Sequence, residues 1–162
     1  MTIEQVLAEK LIAAGWTVAV AESCTGGGLG ARITSVPGSS AYFTGGVISY
    51  SNAIKTGWLG VEASTIERDG AVSESVAGAM ADGVRVRMKS DLGVGITGVA
   101  GPDGGSPLKP VGLVFIAVSI HGLIDARRCL FTGDRVAVRA SAVETALQML
   151  LAAVDSVHAK ES

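Results

Sequence analysis

The chain has 162 residues, of which 48% are hydrophobic and 17% are charged, and its formal net charge is −2. This length and composition indicate a single globular domain over residues 1–162 and exclude an intrinsically disordered chain. The near-neutral charge excludes the strongly basic surface that direct nucleic-acid binding requires. Two cysteines are too few for a disulfide scaffold in a chain of this size.

The N-terminal segment is amphipathic and differs from a signal peptide. It carries Glu4, Glu9 and Lys10 between its apolar residues. No apolar run in the sequence approaches the roughly 20 residues that a membrane span requires. We therefore expect a cytoplasmic protein with no membrane partner.

Apolar spacing and capping residues predict alternating helices and strands. In chain order, we expect a helix capped by Thr2 and stopped by Gly15, a strand over 17–21, a helix over 27–35, a strand over 46–50, a short helix capped by Ser51 and ended by Gly57, a helix capped by Ser73, strands over 92–97, 111–119 and 123–131, and a final helix capped by Asp134. This order predicts an α/β fold, a three-layer α/β/α sandwich with a mixed, mainly parallel sheet. The last two strands should form one antiparallel hairpin with a single wet face.

Residues 18–29 form the stretch on which a functional hypothesis can rest. A buried strand leads into a polar turn, and glycines then open a helix. Ser23 could stand there as a nucleophile beside free backbone N–H groups, or Ser23 or Thr25 could simply cap the helix. Cys24 is a rival nucleophile at the same turn, although without a nearby histidine it is also typical of a small buried residue.

A serine nucleophile needs a base, and histidine offers little support. In a mainly parallel sheet, a site is expected where strands end and helices begin, at the carboxyl edge of the sheet. His121 falls in a predicted hairpin turn and His158 lies near the chain end, so neither lies at this edge. Lys55 is the only lysine placed near that edge, and a partly buried ammonium can lose its proton and act as a base. The alternative is a solvated lysine on a short helix.

Two further patterns could hold an anion. The glycine-rich segment over residues 93–105 could bind a phosphate or only form a tight turn. Arg135 and Arg139, one helical turn apart, could clamp an anion or lie in a solvated first turn. The cysteines and histidines show no metal-ligand spacing, so we expect no metal site.

Six short segments form a further pattern, over residues 21–27, 50–52 with Lys55, 70–73, 98–105, 109–112 and 133–135. In this fixed order they resemble the motifs of the CinA C-terminal domain family, which includes stand-alone nicotinamide mononucleotide deamidases. They span nearly the whole chain. A single glycine motif would be a weak signal, whereas this ordered set is a specific one.

The resemblance implies hydrolysis of nicotinamide mononucleotide to nicotinic acid mononucleotide and ammonia, without a metal or organic cofactor. It implies that Ser23 is the nucleophile, that Lys55 is its basic partner, and that Tyr50 assists proton transfer or orients Lys55. It further implies that the nucleotide is held by Thr97, Gly98, Gly101 and Arg135. We expect the oxyanion to be bound by backbone N–H groups around Thr25, Gly26 and Gly27, or by Gly98. Arg139 joins the binding residues on its spacing from Arg135.

Other functions remain open at this stage. The same pocket could belong to a non-catalytic nucleotide-binding module that acts through a partner in competence or DNA-damage physiology. A purely structural interaction domain would bind no small molecule. The Ala-, Leu- and Val-rich helix near the C-terminus suggests a homodimer.

Overall fold

A computed structural model describes residues 1–161, and its elements follow the predicted order with one additional helix. The α-helices are α1 (Ile3–Ala14), α2 (Gly28–Thr34), α3 (Asn52–Leu59), α4 (Ala63–Asp69), α5 (Glu74–Arg87) and α6 (Arg135–Glu161). The strands are β1 (Val18–Glu22), β2 (Phe43–Ile48), β3 (Leu92–Gly98), β4 (Leu113–Ile120) and β5 (Leu123–Leu130).

The strands form one five-stranded sheet in the order β2-β1-β3-β4-β5. β1 pairs in parallel with β2 and β3, whereas β4 pairs antiparallel with β3 and β5. Helices α1, α2 and α6 pack on one face, and α3, α4 and α5 pack on the other. The predicted α/β fold with a mixed sheet is confirmed. Its parallel pairings are confined to the β2–β1–β3 half, where the site lies.

The two faces of the sheet are filled by side chains of different size. On β1, Val18 and Val20 face the α6 layer, whereas Ala19 and Ala21 face α5. Gly95 of β3 allows α5 to approach closely, because a Cβ atom there would lie 2.3 Å from the carbonyl oxygen of Ala77. The glycines that interrupt β3 are therefore required by helix–sheet packing.

Three local expectations were wrong. β2 begins at Phe43, before the predicted start, and ends at Ile48. α3 continues past Gly57 to Leu59, because Gly60 (φ 71°) supplies the left-handed residue that ends it. α4 was not anticipated, because its short, polar sequence carries little apolar periodicity.

The C-terminal elements also differ from expectation. β5 is exposed along nearly its whole length on both faces, where one wet face was predicted. α6 has the length and apolar content of a membrane-spanning helix, although no apolar run of that length was expected. It nevertheless buries Val138, Ala142, Leu147 and Leu150 in the chain's own core. Its apolar content is that of a core helix, and these residues are not available for the helix-mediated dimer suggested by the sequence.

Candidate active site

The turn after β1 places Ser23 at the end of a central strand. The N–H of Ser23 still donates to the Ile96 carbonyl oxygen of β3 (3.0 Å), so its backbone is fixed by the sheet. The chain then turns sharply, and the N–H of Gly26 donates back to the Ser23 carbonyl oxygen (3.1 Å). Gly26 and Gly27 have φ values of 57° and 102°, which favour glycine. The tight turn leaves the side chain of Ser23 facing a cleft.

Glu22 fixes the start of α2, a role that the sequence reasoning missed. Its buried carboxylate accepts hydrogen bonds from the Thr25 hydroxyl (2.6 Å) and from the N–H groups of Leu29 (2.8 Å) and Gly30 (3.0 Å). The two N–H groups belong to the first turn of α2 and have no partner within the helix, so Glu22 acts as a cap supplied from the preceding strand. The sequence signal that could have predicted this role is an acidic residue, Glu22, shortly before the start of a helix. Ser23 itself does not cap α2, whose N-cap residue is Gly27.

Lys55 reaches Ser23 from the first turns of α3, which Ser51 caps as predicted. The Lys55 side chain is only 2% exposed. Its Nζ lies 3.1 Å from Ser23 Oγ and donates to the carbonyl oxygens of Ser49 (2.8 Å) and Tyr50 (3.3 Å). A neutral amine can satisfy both carbonyls with its two N–H groups and keep its lone pair for the Ser23 hydroxyl. The geometry therefore suits the uncharged as well as the charged lysine.

Burial shifts the titration of the two groups beside Ser23. Desolvation lowers the pKa of Lys55 below its usual value, and the neighbouring Cys24 opposes this shift. In the described part of the chain, no carboxylate forms an ion pair with Lys55. Burial raises the pKa of the Cys24 thiol to about 11, so this thiol stays protonated at neutral pH. The pair of groups suited to nucleophilic chemistry is therefore Ser23 with Lys55, while Cys24 is a buried packing residue next to them.

A cleft of about 290 Å³ opens in front of Ser23 and Lys55. Three loops converge on it, following β1, β2 and β3, as expected at the carboxyl ends of parallel strands. Of the residues singled out from the sequence, Tyr50, Thr97, Gly98, Gly101 and Arg135 line this cleft. Asn52, Ala71, Val72 and Asp103 line it as well. Sequence reasoning did not single these four out as site residues. Ala71 and Val72 enter from the segment between α4 and α5, which only the tertiary fold brings to the cleft.

Arg135 lies at the mouth of the cleft, at the start of α6. Its guanidinium donates to the Gly101 carbonyl oxygen (2.7 Å) and to the Tyr50 hydroxyl (3.3 Å). The Tyr50 side chain is 62% exposed, and only its backbone carbonyl contacts Lys55. Thr97 is buried, and its hydroxyl donates to the Ala71 carbonyl oxygen (2.8 Å). The wall of the cleft is thus tied together by side chains bonded to backbone carbonyls.

Arg139 lies apart from Arg135 and does not line this cleft. Its Nε donates to the Cys24 carbonyl oxygen and its terminal nitrogen donates to that of Thr25, both at 3.1 Å. Thr25 is buried and, with Gly28, lines a separate hollow beside Arg139. The structure therefore separates the two arginines. Arg139 braces the turn that carries Ser23, behind the side that faces the cleft.

A family model described as the CinA C-terminal domain matches residues 1–154. The chain belongs to the CinA C-terminal domain family. A CinA-like protein of Gemmatimonas aurantiaca is 56% identical over 134 residues, covering 83% of this chain and 31% of that protein. A putative competence-damage inducible protein of Moorella thermoacetica is 50% identical over 149 residues, covering 92% of this chain and 36% of that protein. The CinA-family chain spans about a third of the length of these relatives.

Solved structures of the CinA superfamily have the same fold over nearly their whole length. The competence/damage inducible protein CihA from Agrobacterium tumefaciens has a TM-score of 0.88 at 38% identity, covering 94% of this chain and 96% of that chain. A CinA superfamily protein from Klebsiella pneumoniae has a TM-score of 0.90 at 34% identity, covering 96% of this chain and 99% of that chain. The three-layer architecture described above is therefore that of the CinA superfamily.

Proposed function

We propose that this CinA-family chain is an amidohydrolase that converts nicotinamide mononucleotide to nicotinic acid mononucleotide and ammonia. The observation that carries the proposal is the buried contact of 3.1 Å between Lys55 Nζ and Ser23 Oγ. A serine paired with a desolvated amine has the two parts of a nucleophile and its base. The substrate class rests on the family resemblance and on a cleft with an arginine at its mouth.

In the first half of the reaction, Ser23 Oγ attacks the carboxamide carbon while neutral Lys55 takes the hydroxyl proton. The resulting tetrahedral intermediate carries its negative charge on the former carbonyl oxygen. Lys55 then gives the proton to the amide nitrogen, the C–N bond breaks, and ammonia leaves an acyl ester on Ser23. In the second half, water attacks the ester carbon while Lys55 takes a proton from it. Lys55 returns this proton to Ser23 Oγ as the ester bond breaks, which releases nicotinic acid mononucleotide and regenerates the Ser23 hydroxyl and the neutral amine.

Backbone N–H groups are the proposed donors to the oxyanion. The N–H of Gly26 is already bonded to Ser23, which weakens its candidacy. Arg139 holds the carbonyl oxygens of Cys24 and Thr25, and in a trans peptide the N–H of the next residue points the opposite way. The peptide N–H of Thr25 therefore points away from Arg139. We propose it as the leading donor, with Gly98 on the facing wall as the alternative.

The nucleotide phosphate is proposed to bind at the mouth of the cleft. Arg135 carries a positive charge there, next to the N-terminus of α6 and the segment from Gly98 to Gly101. This places the phosphate away from Lys55, so a bound anion need not raise the pKa of the base strongly. The carboxamide can then lie at the closed end beside Ser23.

Ammonia release from nicotinamide mononucleotide tests the proposal. The wild-type protein should be active, Ser23→Ala should lose all detectable turnover, and Ser40→Ala, at an exposed serine, should retain full activity. Mass spectrometry of the wild type quenched during turnover should detect the acyl ester on Ser23. Full activity in Ser23→Ala would refute the serine mechanism. Nucleotide binding by calorimetry without any product would instead favour a non-catalytic nucleotide-binding module.

A further inference from the structure

Strand β5 leaves one edge of the sheet open. It pairs with β4 on one side, and no other strand in residues 1–161 lies on its outer side. Its register with β4 is continuous from Leu123 to Leu130, without a bulge, and it contains no proline. Leu123, Ile124 and Leu130 are 63%, 49% and 56% exposed. A long, regular and partly apolar edge strand is a template for pairing with another strand.

The hydrogen bonding of β5 identifies which backbone groups face outward. The N–H of Phe131, just after the strand, donates to the Gly112 carbonyl oxygen (2.9 Å). Along an antiparallel strand, the backbone N–H and C=O groups of one residue bond to the neighbouring strand, and those of the next residue point away from it. The odd-numbered residues of β5 therefore bond to β4. The N–H and C=O groups of Ile124, Ala126 and Arg128 point outward.

We propose that β5 pairs antiparallel with β5 of a second copy of this chain, with Ala126 opposite Ala126 of the second copy. A two-fold axis perpendicular to the sheet leaves each face of the sheet on the same side in both copies. The side chains of two residues that lie opposite each other must therefore project from the same face. In this register Ala126 forms a hydrogen-bonded pair with itself. Ile124 forms such a pair with Arg128 of the second copy, and the two sheets become one.

The charges on β5 select this register. With Ala126 on the axis, Asp125 stands opposite Arg127 of the second copy, and the same pair recurs across the axis. This is a non-hydrogen-bonded position, where opposing side chains are closest. Moving the axis by one residue would instead place Asp125 opposite Asp125, or Arg127 opposite Arg127. Like charges directly opposite one another destabilise a strand pair, so the neighbouring registers are disfavoured.

A second copy of the chain fits this edge because the sequence of β5 is complementary to itself. Asp125 and Arg127 lie on the same face, 62% and 51% exposed, and their charged atoms are 3.8 Å apart within one chain. They form an ion pair within one chain, and their exposure also allows each side chain to contact the opposite charge of a second copy across a two-fold axis. Leu123 would lie opposite Cys129 of the second copy, which covers the most exposed leucine of the strand.

Charge reversal tests both the interface and its register. Light scattering after size-exclusion chromatography should give the mass of a dimer for the wild type. Asp125→Arg and Arg127→Asp should each weaken the dimer by about tenfold or more, because each replaces two opposite-charge pairs with two like-charge pairs. The double variant D125R/R127D should recover the dimer. A mixture of the two single variants should form a heterodimer, because each supplies the charges that the other needs.

Further variants separate loss of pairing from loss of folding. Ala126→Pro removes an outward N–H that β4 does not use, so it should give a folded monomer. Arg87→Asp, at an exposed site on α5, is the matched charge reversal and should remain dimeric. Circular dichroism of each variant checks the fold. A monomeric wild type at millimolar concentration, a dimer indifferent to both single reversals, or a mixture that stays monomeric would each overturn the proposal.

Discussion

Replacing Lys55 with methionine removes the proposed base while keeping a long, unbranched side chain in the same space. Lys55 is 2% exposed and its Nζ lies 3.1 Å from Ser23 Oγ. Within the described residues, no other side chain forms a hydrogen bond with Ser23 Oγ, so no second group is positioned to act as the base. General-base catalysis contributes about 10² to 10⁴ in rate. We therefore expect kcat to fall by about 10² to 10⁴, or about 2.7 to 5.4 kcal/mol in activation free energy.

The assay is ammonia release from nicotinamide mononucleotide, followed as a function of pH. In the wild type, kcat/KM should rise with pH as Lys55 loses its proton, and the rise should lie below the pKa of about 10.4 of an exposed lysine. The rise of kcat/KM with pH should be absent in Lys55→Met and unchanged in Lys160→Met, which replaces an exposed lysine. A Lys55→Met protein within tenfold of wild-type activity would refute the role of Lys55 as base.

The same substitution should affect stability in a direction that depends on pH. The pKa of Lys55 is lower in the folded chain than in the unfolded chain, so folding favours the neutral amine. Below the folded-state pKa, the buried charge destabilises the wild type in full. That penalty disappears as the pH rises to the unfolded value. Lys55→Met should therefore be at least as stable as the wild type in urea at pH 7, and its advantage should shrink by pH 10. A methionine variant that is less stable at pH 7 would contradict this account.

The remaining predictions concern the supports of the site. Glu22→Gln should lower the free energy of unfolding by about 1–3 kcal/mol in urea, because an amide cannot accept all three hydrogen bonds of the carboxylate. Gly95→Ala should destabilise the fold by about 1–3 kcal/mol through overpacking against α5, whereas Gly57→Ala, inside α3 with open space around it, should stabilise it by about 0.5–1 kcal/mol. Iodoacetamide at pH 8 should leave activity unchanged, since burial raises the pKa of Cys24 to about 11; inactivation prevented by Cys24→Ala would argue against this.

Much of the local structure could be predicted because capping and turn chemistry are short-range. Thr2, Ser51, Ser73 and Asp134 cap the helices that their positions indicate. The errors fell where tertiary context decides. Gly57 sits inside α3 because packing on α5 maintains the helix past it. β5 is the edge strand, and α5 covers it only in part, so most of its residues are exposed.

The sequence by itself determined the order of the strands and of every α-helix except α4, the turn that carries Ser23, and Lys55 as the only lysine near a strand end. These follow from periodicity, capping and composition, which act over a few residues. The tertiary structure alone decided which side chains meet. It buried Lys55 against Ser23, placed Arg135 at the cleft and moved Arg139 behind the turn. Residues 23 and 55 come together because β1 and β2 pair in parallel, which brings the ends of both strands to one edge.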